Sequence, residues 1–177
     1  MCDWSDIMDT KTKNIVVFFG SPHKDSYTSK LLNLFIKKKL DNSNYKINII
    51  YAYNENIHAC IDCKFCRDYD FCIFKDLDNI NNLLIESDFI IIASPIYNAS
   101  FPSPLKSILD RFQIYYYYFQ KHRKSIFEKP KNLLLLLTQG SKNINYNSSI
   151  KSLIKPICNI LNIKSFKIIN NTNTDNK

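Results

Sequence analysis

Four of the six cysteines crowd together, in the spacing Cys60-x2-Cys63-x2-Cys66-x5-Cys72. Thiolates in this pattern suit three kinds of chemistry. Overlapping Cys-x-x-Cys pairs let three sulfurs wrap the corners of an iron–sulfur cubane, and a fourth nearby completes a [4Fe–4S] set. Four thiolates also suit structural zinc, although its two cysteine pairs are commonly separated by a longer loop. Reduced thiols or a redox disulfide are the third reading, and the spacing leaves all three open. His58 stands two residues before Cys60 and reads as a solvated or hydrogen-bonded loop histidine rather than a ligand. Cys158 falls in an amphipathic segment and reads as a small core residue, whereas Cys2 belongs to an N-terminal extension.

A second group of chemistry-bearing residues lies in three polar stretches, each directly after an apolar run. The first is Gly20-Ser21-Pro22-His23-Lys24-Asp25-Ser26-Tyr27-Thr28. Hydroxyls and backbone N–H groups at the start of a helix can hold a phosphate, and Ser26 or Thr28 can equally well cap that helix. The second runs from Ser94 to Ser100 and the third is Gln139-Gly140-Ser141. Tyr115–Tyr118 followed by Lys121, His122, Arg123 and Lys124 combines aromatics with positive charge. Such a stretch can stack on nucleic acid, but it reads more simply as a helix end and an inter-subunit surface.

These residues need a scaffold, and the apolar pattern supplies one. Four short, continuously apolar runs recur at Asn14–Phe19, 45–51, 88–93 and Lys131–Thr138, with a weaker fifth at 165–169. Runs of this kind read as strands buried on both faces, as in a parallel sheet. Helical spacing fills the gaps at 28–40, 76–86, 104–117 and 148–161. Strand and helix alternate throughout, so a doubly wound α/β domain is predicted, with ligands at the carboxyl ends of its strands.

The remaining composition narrows the function classes. A chain of 177 residues favours one domain. Its 45% hydrophobic and 23% charged content is that of a globular protein. Only two glycines occur, Gly20 and Gly140, which excludes both the GxGxxG fingerprint and the GxxxxGK[ST] phosphate loop. The net charge of +8 comes from lysines spread along the whole chain, so compositional bias explains it better than a nucleic-acid footprint. The first residues, MCDWSDIMDTKTK, carry acids and lack the apolar stretch of a secretory signal. A cytoplasmic setting without a membrane anchor is expected, and with it metal or redox use of the cysteines rather than a disulfide framework.

Taken together, these stretches resemble the NAD(P)H-dependent FMN reductase branch of the flavodoxin-like superfamily. Residues 20–32 (GSPHKDSYTSKLL) resemble its FMN-phosphate loop. Residues 94–111 (SPIYNASFPSPLKSILDR) resemble its second flavin loop and the helix that follows, and 129–141 (KPKNLLLLLTQGS) its fourth strand and third loop. The resemblance covers roughly residues 14–170, between an N-terminal extension (1–13) and a polar tail (171–177). It implies a five-stranded parallel sheet of order 2-1-3-4-5. It also implies FMN held by Ser21, His23, Ser26, Tyr27 and Thr28 around the phosphate. Pro95, Ile96, Tyr97 and Asn98 would lie along the isoalloxazine edge, and Thr138, Gln139, Gly140 and Ser141 on the other side. The family usually carries arginine where this chain has His23, and Lys24 and Lys30 are the nearby cations. No catalytic acid or base is implied, because the flavin carries the chemistry.

The cysteine motif is similar to that of iron–sulfur flavoproteins within the superfamily, which pass electrons between a [4Fe–4S] cluster and FMN. By that resemblance Cys60, Cys63, Cys66 and Cys72 are the metal ligands. The resemblance implies an FMN-dependent oxidoreductase. Its donor would be NAD(P)H or a ferredoxin-like protein, its acceptor a quinone or flavin, and its assembly a homodimer or homotetramer. A non-enzymatic FMN electron carrier is the first alternative, and a zinc or nucleic-acid binding module the second. One departure stands out: the helix that normally follows strand five is missing. Trp4, Ile7 and Met8 of the extension, or a second subunit, are expected to cover the sheet face it leaves.

Overall fold

The computed structural model describes residues 14–39, 45–142 and 144–176. Five strands, β1 (Asn14–Phe19), β2 (Lys46–Tyr51), β3 (Phe89–Pro95), β4 (Lys131–Thr138) and β5 (Ile163–Asn171), form one sheet in the order β2-β1-β3-β4-β5. Every pairing is parallel. Six helices connect them: α1 (Tyr27–Lys39), α2 (Phe65–Tyr69), α3 (Asp78–Glu86), α4 (Ser103–Asp110), α5 (Gln113–His122) and α6 (Asn147–Ile160). The predicted sheet order and the bounds of β1 and β4 are those observed. The expected extension, with Trp4, Ile7 and Met8, lies outside the described residues.

The continuous apolar runs are buried on both faces because helices flank the sheet. All eight residues of β4 are buried. Val16, Phe18, Ile90, Ile92, Leu133 and Leu135 face one side, under Leu84 of α3, Leu105 and Ile108 of α4 and Ile154 of α6. Their alternates Ile15, Val17, Phe89, Ile91, Leu134 and Leu136 face the other side. Among the described residues, α1 alone brings helical side chains to that second face, through Leu31, Leu32, Phe35 and Ile36. Phe35 stacks on Phe89 with ring centroids 6.5 Å apart. Each fully buried side chain of this size contributes about 1.5–3 kcal/mol, so the α1 face rests on few contributors.

Two elements differ from the sequence expectation. The predicted helix over 104–117 is two helices, because the chain turns at Arg111 and Phe112. Both are buried, Arg111 at 3% and Phe112 at 2% exposure, and the turn redirects α5 so that it packs on α2. Helical periodicity runs through the break because both halves share an apolar face. The cysteine segment also contains an unpredicted helical turn, α2, too short to show a period.

After β5 the described chain makes a single 3-10 turn, Thr174–Asn176. Residues read as a polar tail thus supply the last residue of β5 and a turn fastened to the loop after β4, through the Thr174 N–H and the Gln139 carbonyl at 3.1 Å. Asn162 makes the tight turn into β5 with φ 55°, and its side-chain amide donates to the Phe127 carbonyl at 2.9 Å. Asparagine tolerates this left-handed backbone better than most residues do.

Candidate functional site: three strand-end loops and a cysteine loop

The three polar stretches emerge where the sequence places them, at the carboxyl ends of β1, β3 and β4. Gly20 continues β1, its N–H bonded to the Ala93 carbonyl at 2.8 Å. A Cβ here would meet Ser94 Oγ at 2.6 Å and Leu105 Cδ2 at 2.7 Å, so the close approach of β1 and β3 requires glycine. Ser21 is buried, and its Oγ accepts the His23 N–H at 3.2 Å, tightening the loop. Ser26 is the N-cap of α1, accepting the Ser29 N–H at 3.2 Å. His23 is exposed beside it. The two lysines of this region rest over rings, Lys30 over Tyr27 at 4.8 Å and Lys24 over Tyr51 at 6.0 Å.

Thr28 and Thr138 turn inward. Both are buried, and their hydroxyls share a 2.8 Å hydrogen bond that ties the start of α1 to the end of β4. The second loop is a two-residue hairpin: Tyr97 and Ser100 exchange both backbone bonds at 2.9 Å around Asn98 (φ 50°) and Ala99 (φ 60°). Pro95 ends β3, Ile96 is buried and donates its N–H to Thr138 O at 2.8 Å, and Tyr97 stands out at 46% exposure. Tyr97 also lies close enough to Tyr53 to help burial raise the Tyr53 phenol above its ordinary range. Gln139 organises the third loop. Its amide donates to Ser141 O at 2.8 Å and Ile144 O at 2.6 Å, while its carbonyl accepts from Asn170 at 2.8 Å. Gly140 leaves room for the Asp175 carboxylate, which a Cβ would meet at 1.9 Å. The donors of these loops, two serine hydroxyls, an imidazole and the helix N-terminus, suit a phosphate. The projecting Tyr97 suits an aromatic ring.

The four cysteines occupy the loop between β2 and α3. Left-handed residues Asp62 (φ 51°), Lys64 (φ 64°) and Asp70 (φ 58°) bend its backbone repeatedly. Such conformations cost about 1–2 kcal/mol each for residues other than glycine. Their effect is to turn Cys60, Cys63, Cys66 and Cys72 toward one cavity, which Phe74, Arg111, Ile114 and Tyr117 also line. None of the four cysteines is paired in a disulfide. Burial pushes the Cys66 thiol up, and the neighbouring Cys72, Cys60 and Cys63 push it further. Four cysteine sulfurs lining one cavity are the donor type that an iron–sulfur cluster or a metal ion takes. Among the described residues, however, no group of three or more His, Cys, Asp or Glu stands at metal-holding spacing.

The structure therefore brings the flavin-type residues to one sheet edge and the cysteines to one cavity. Sequence reasoning assigned no role to Arg111 or Asp76, and it read His58 as a solvated or hydrogen-bonded loop histidine. The His58 N–H and ring Nδ1 both bond Asp76 Oδ2, at 2.7 and 2.8 Å. Burial alone would raise the Asp76 carboxyl, but His58 and Arg111 overcome it and hold the group below its usual range. A buried arginine beside a cysteine motif has no local signature, since its partners lie 35 to 53 positions away, from Asp76 to His58.

Residues 13–161 match the family described as NADPH-dependent FMN reductase. Among curated proteins, the chain is 29% identical over 135 residues to an iron-sulfur flavoprotein of Methanosarcina thermophila, covering 76% of this chain and 67% of that one. It is 32% identical over 101 residues to an iron-sulfur flavoprotein of Archaeoglobus fulgidus, covering 56% and 46%. The match thus spans two thirds of one relative's length and about half of the other's. Among solved structures, it is similar to the NAD(P)H:quinone oxidoreductase from Methanothermobacter marburgensis, with TM-score 0.73, 12% identity and coverage of 92% and 87%. It is also similar to an FMN-dependent NADH-azoreductase from Bacillus anthracis in complex with FMN, with TM-score 0.67, 15% identity and coverage of 93% and 90%. At these identities the structural likeness establishes the fold.

Proposed function

The chain belongs to the NADPH-dependent FMN reductase family, and on that premise we propose that it is a flavin-dependent oxidoreductase of the iron–sulfur flavoprotein type. FMN supplies hydride and electron transfer when bound. Ser21, His23 and Ser26 would hold its phosphate at the start of α1. Tyr27 and Thr28 support that turn, Thr28 through its bond to Thr138. Pro95, Ile96, Tyr97 and Asn98 would border the ring on one side, and Gln139, Gly140 and Ser141 on the other. Cys60, Cys63, Cys66 and Cys72 would hold a [4Fe–4S] cluster. NAD(P)H or a ferredoxin-like protein is the proposed donor and a quinone or flavin the acceptor. The working form is a homodimer or homotetramer.

The observation that carries the cluster reading is the convergence of all four cysteines on one cavity. The likeness to two iron-sulfur flavoproteins supports it. The absence of metal-holding spacing among the described residues favours a second reading, a flavin reductase whose cysteines remain thiols. Among the described residues no helix is long and apolar enough to cross a membrane.

The visible spectrum of anaerobically purified protein, with flavin, iron and acid-labile sulfide content, tests the proposal. Flavin bands over a broad iron–sulfur shoulder, with about four irons per chain as a cubane requires, establish the first reading. Flavin bands without iron establish the second. A colourless chain that does not take up added FMN overturns both. Turnover with NAD(P)H and a quinone then separates a reductase from a passive electron carrier, which shows little.

A further inference from the structure

The loop from His58 to Asp76 carries all four cysteines, and its two ends meet at one side chain from elsewhere in the fold. Arg111 follows α4, and its guanidinium side chain is 1% exposed. Nη1 donates to the His58 carbonyl at 2.9 Å, where the loop begins. Nη2 donates to the Phe74 carbonyl at 3.1 Å, where it ends. Asp76 Oδ1, 3.0 Å from Nη1, balances the charge. The His58 and Phe74 rings stack 4.6 Å apart, and the guanidinium carbon lies 5.2 Å from the Phe74 ring. Nη2 makes one more bond, to Cys72 Sγ at 3.2 Å.

Removing a guanidinium from water costs several kcal/mol unless its donors are used and its charge is balanced. The two carbonyl bonds and the Asp76 ion pair meet most of that need and close the loop, while Nε is buried without a hydrogen-bond partner. The bond to sulfur adds nothing to closure, because Phe74, two residues beyond Cys72, is already fixed. Among the described residues, Cys72 is the cysteine with a cationic side chain bonded to its sulfur.

We infer that Arg111 is a positioning residue for the cysteine centre: it pins the loop shut and sets Cys72 apart as the ligand whose sulfur receives a charge-assisted hydrogen bond. The inference rests on the cluster reading above. Hydrogen bonds to ligand sulfurs help set the potential of an iron–sulfur cluster. The reduced cluster carries one more negative charge than the oxidised one, so a cationic donor at Cys72 stabilises it and raises the one-electron midpoint.

The test compares the full-length wild type with Arg111→Gln and Arg111→Lys, each reconstituted anaerobically. Iron and sulfide are counted, cluster and flavin midpoints are read by potentiometric titration with EPR, and amide hydrogen exchange is mapped with and without iron. In Arg111→Gln, which keeps N–H donors but no charge, the cluster midpoint moves to more negative potential and the flavin midpoint stays. Arg111→Lys falls between. Exchange across 58–76 accelerates in both, while β4 remains protected, which shows that the domain is folded. A Gln variant that holds wild-type iron and titrates at the wild-type potential overturns the tuning role. Loss of iron together with accelerated loop exchange supports the positioning role, and unchanged loop exchange in the iron-free chain overturns it. A wild type that binds no iron overturns the cluster reading and the tuning role with it. The iron-free exchange comparison then still decides whether Arg111 pins the loop.

Discussion

Thr28 and Thr138 lie 110 positions apart and satisfy each other through one 2.8 Å bond. Removing one hydroxyl strands the other in a buried site, which costs about 1–3 kcal/mol, whereas removing both is nearly neutral. Urea denaturation of Thr28→Val, Thr138→Val and the double variant is therefore expected to show two destabilised singles and a double close to wild type. Additive losses would show that the pair does not couple. Lys131 poses the opposite problem, a cation with no exposed surface, its Nζ donating to the Ser87 carbonyl at 2.8 Å. Burial, helped by Lys129 and opposed by Asp88, lowers its pKa to about 8 from 10.5. The folded state thus releases the proton near pH 8, and the unfolded chain keeps it to about pH 10.5. Between these values the unfolded state binds more protons, so this group's contribution to stability grows as pH rises. That gain is lost as pH falls through 8. Lys131→Met is expected to flatten the pH dependence of the urea midpoint between pH 8 and 10. A variant that keeps the wild-type slope would assign the effect to other groups.

At the scale of elements, the site depends on how closely β1 approaches β3 and on a strained hairpin. Gly20→Ala drives a Cβ against the Ser94 hydroxyl and a Leu105 methyl, and these side chains, with no exposed surface, have little room to turn away. Overpacking of this kind costs about 1–3 kcal/mol. FMN affinity is expected to fall with stability, because the first and second loops diverge from this point. Equilibrium unfolding and fluorescence-quench titration with FMN measure the two effects, and an unchanged FMN affinity would separate the strand contact from the loops. Ala99 bears the reverse burden. Its φ of 60° is costly for alanine and free for glycine. Ala99→Gly is expected to match or exceed wild-type stability, by up to about 1 kcal/mol after the extra entropy of an unfolded glycine is subtracted. A clear loss of stability in the same denaturation assay would contradict this.

For the whole molecule, the loops of β1, β3 and β4 are held by different parts of one sheet, so a ligand that bridges them stabilises the entire domain. Binding to the folded state alone adds about 2.7 kcal/mol at a ligand concentration of 100 times Kd. FMN is therefore expected to raise the thermal midpoint in a saturable way, while riboflavin, which lacks the phosphate, raises it less. Equal shifts would show that Ser21, His23 and Ser26 do not meet a phosphate. The two faces of the sheet also differ. Among the described residues, one is packed by buried side chains of α3, α4, α5 and α6, and the other receives helical side chains from α1 alone.

Much of this architecture is legible in the order of residues. The runs Asn14–Phe19 and Lys131–Thr138 mark β1 and β4 to the residue, because the middle of a strand buried on both faces is a near-continuous apolar run, as in Ile15 to Phe19 and Leu133 to Leu137. Strand–helix alternation carries the doubly wound parallel architecture, the family resemblance carries the sheet order, and the polar stretches after β1, β3 and β4 carry the place of the loops expected to meet a flavin. The cysteine spacing carries the gathering of thiols within one loop. These are local properties, encoded by side chains near one another in the chain. What only the tertiary structure decided is long-range. It bonds Thr28 to Thr138, breaks one helical pattern into α4 and α5 at Arg111, and brings that arginine to both ends of the cysteine loop. No periodicity records such contacts, because a buried polar group is determined by whichever distant partner satisfies it.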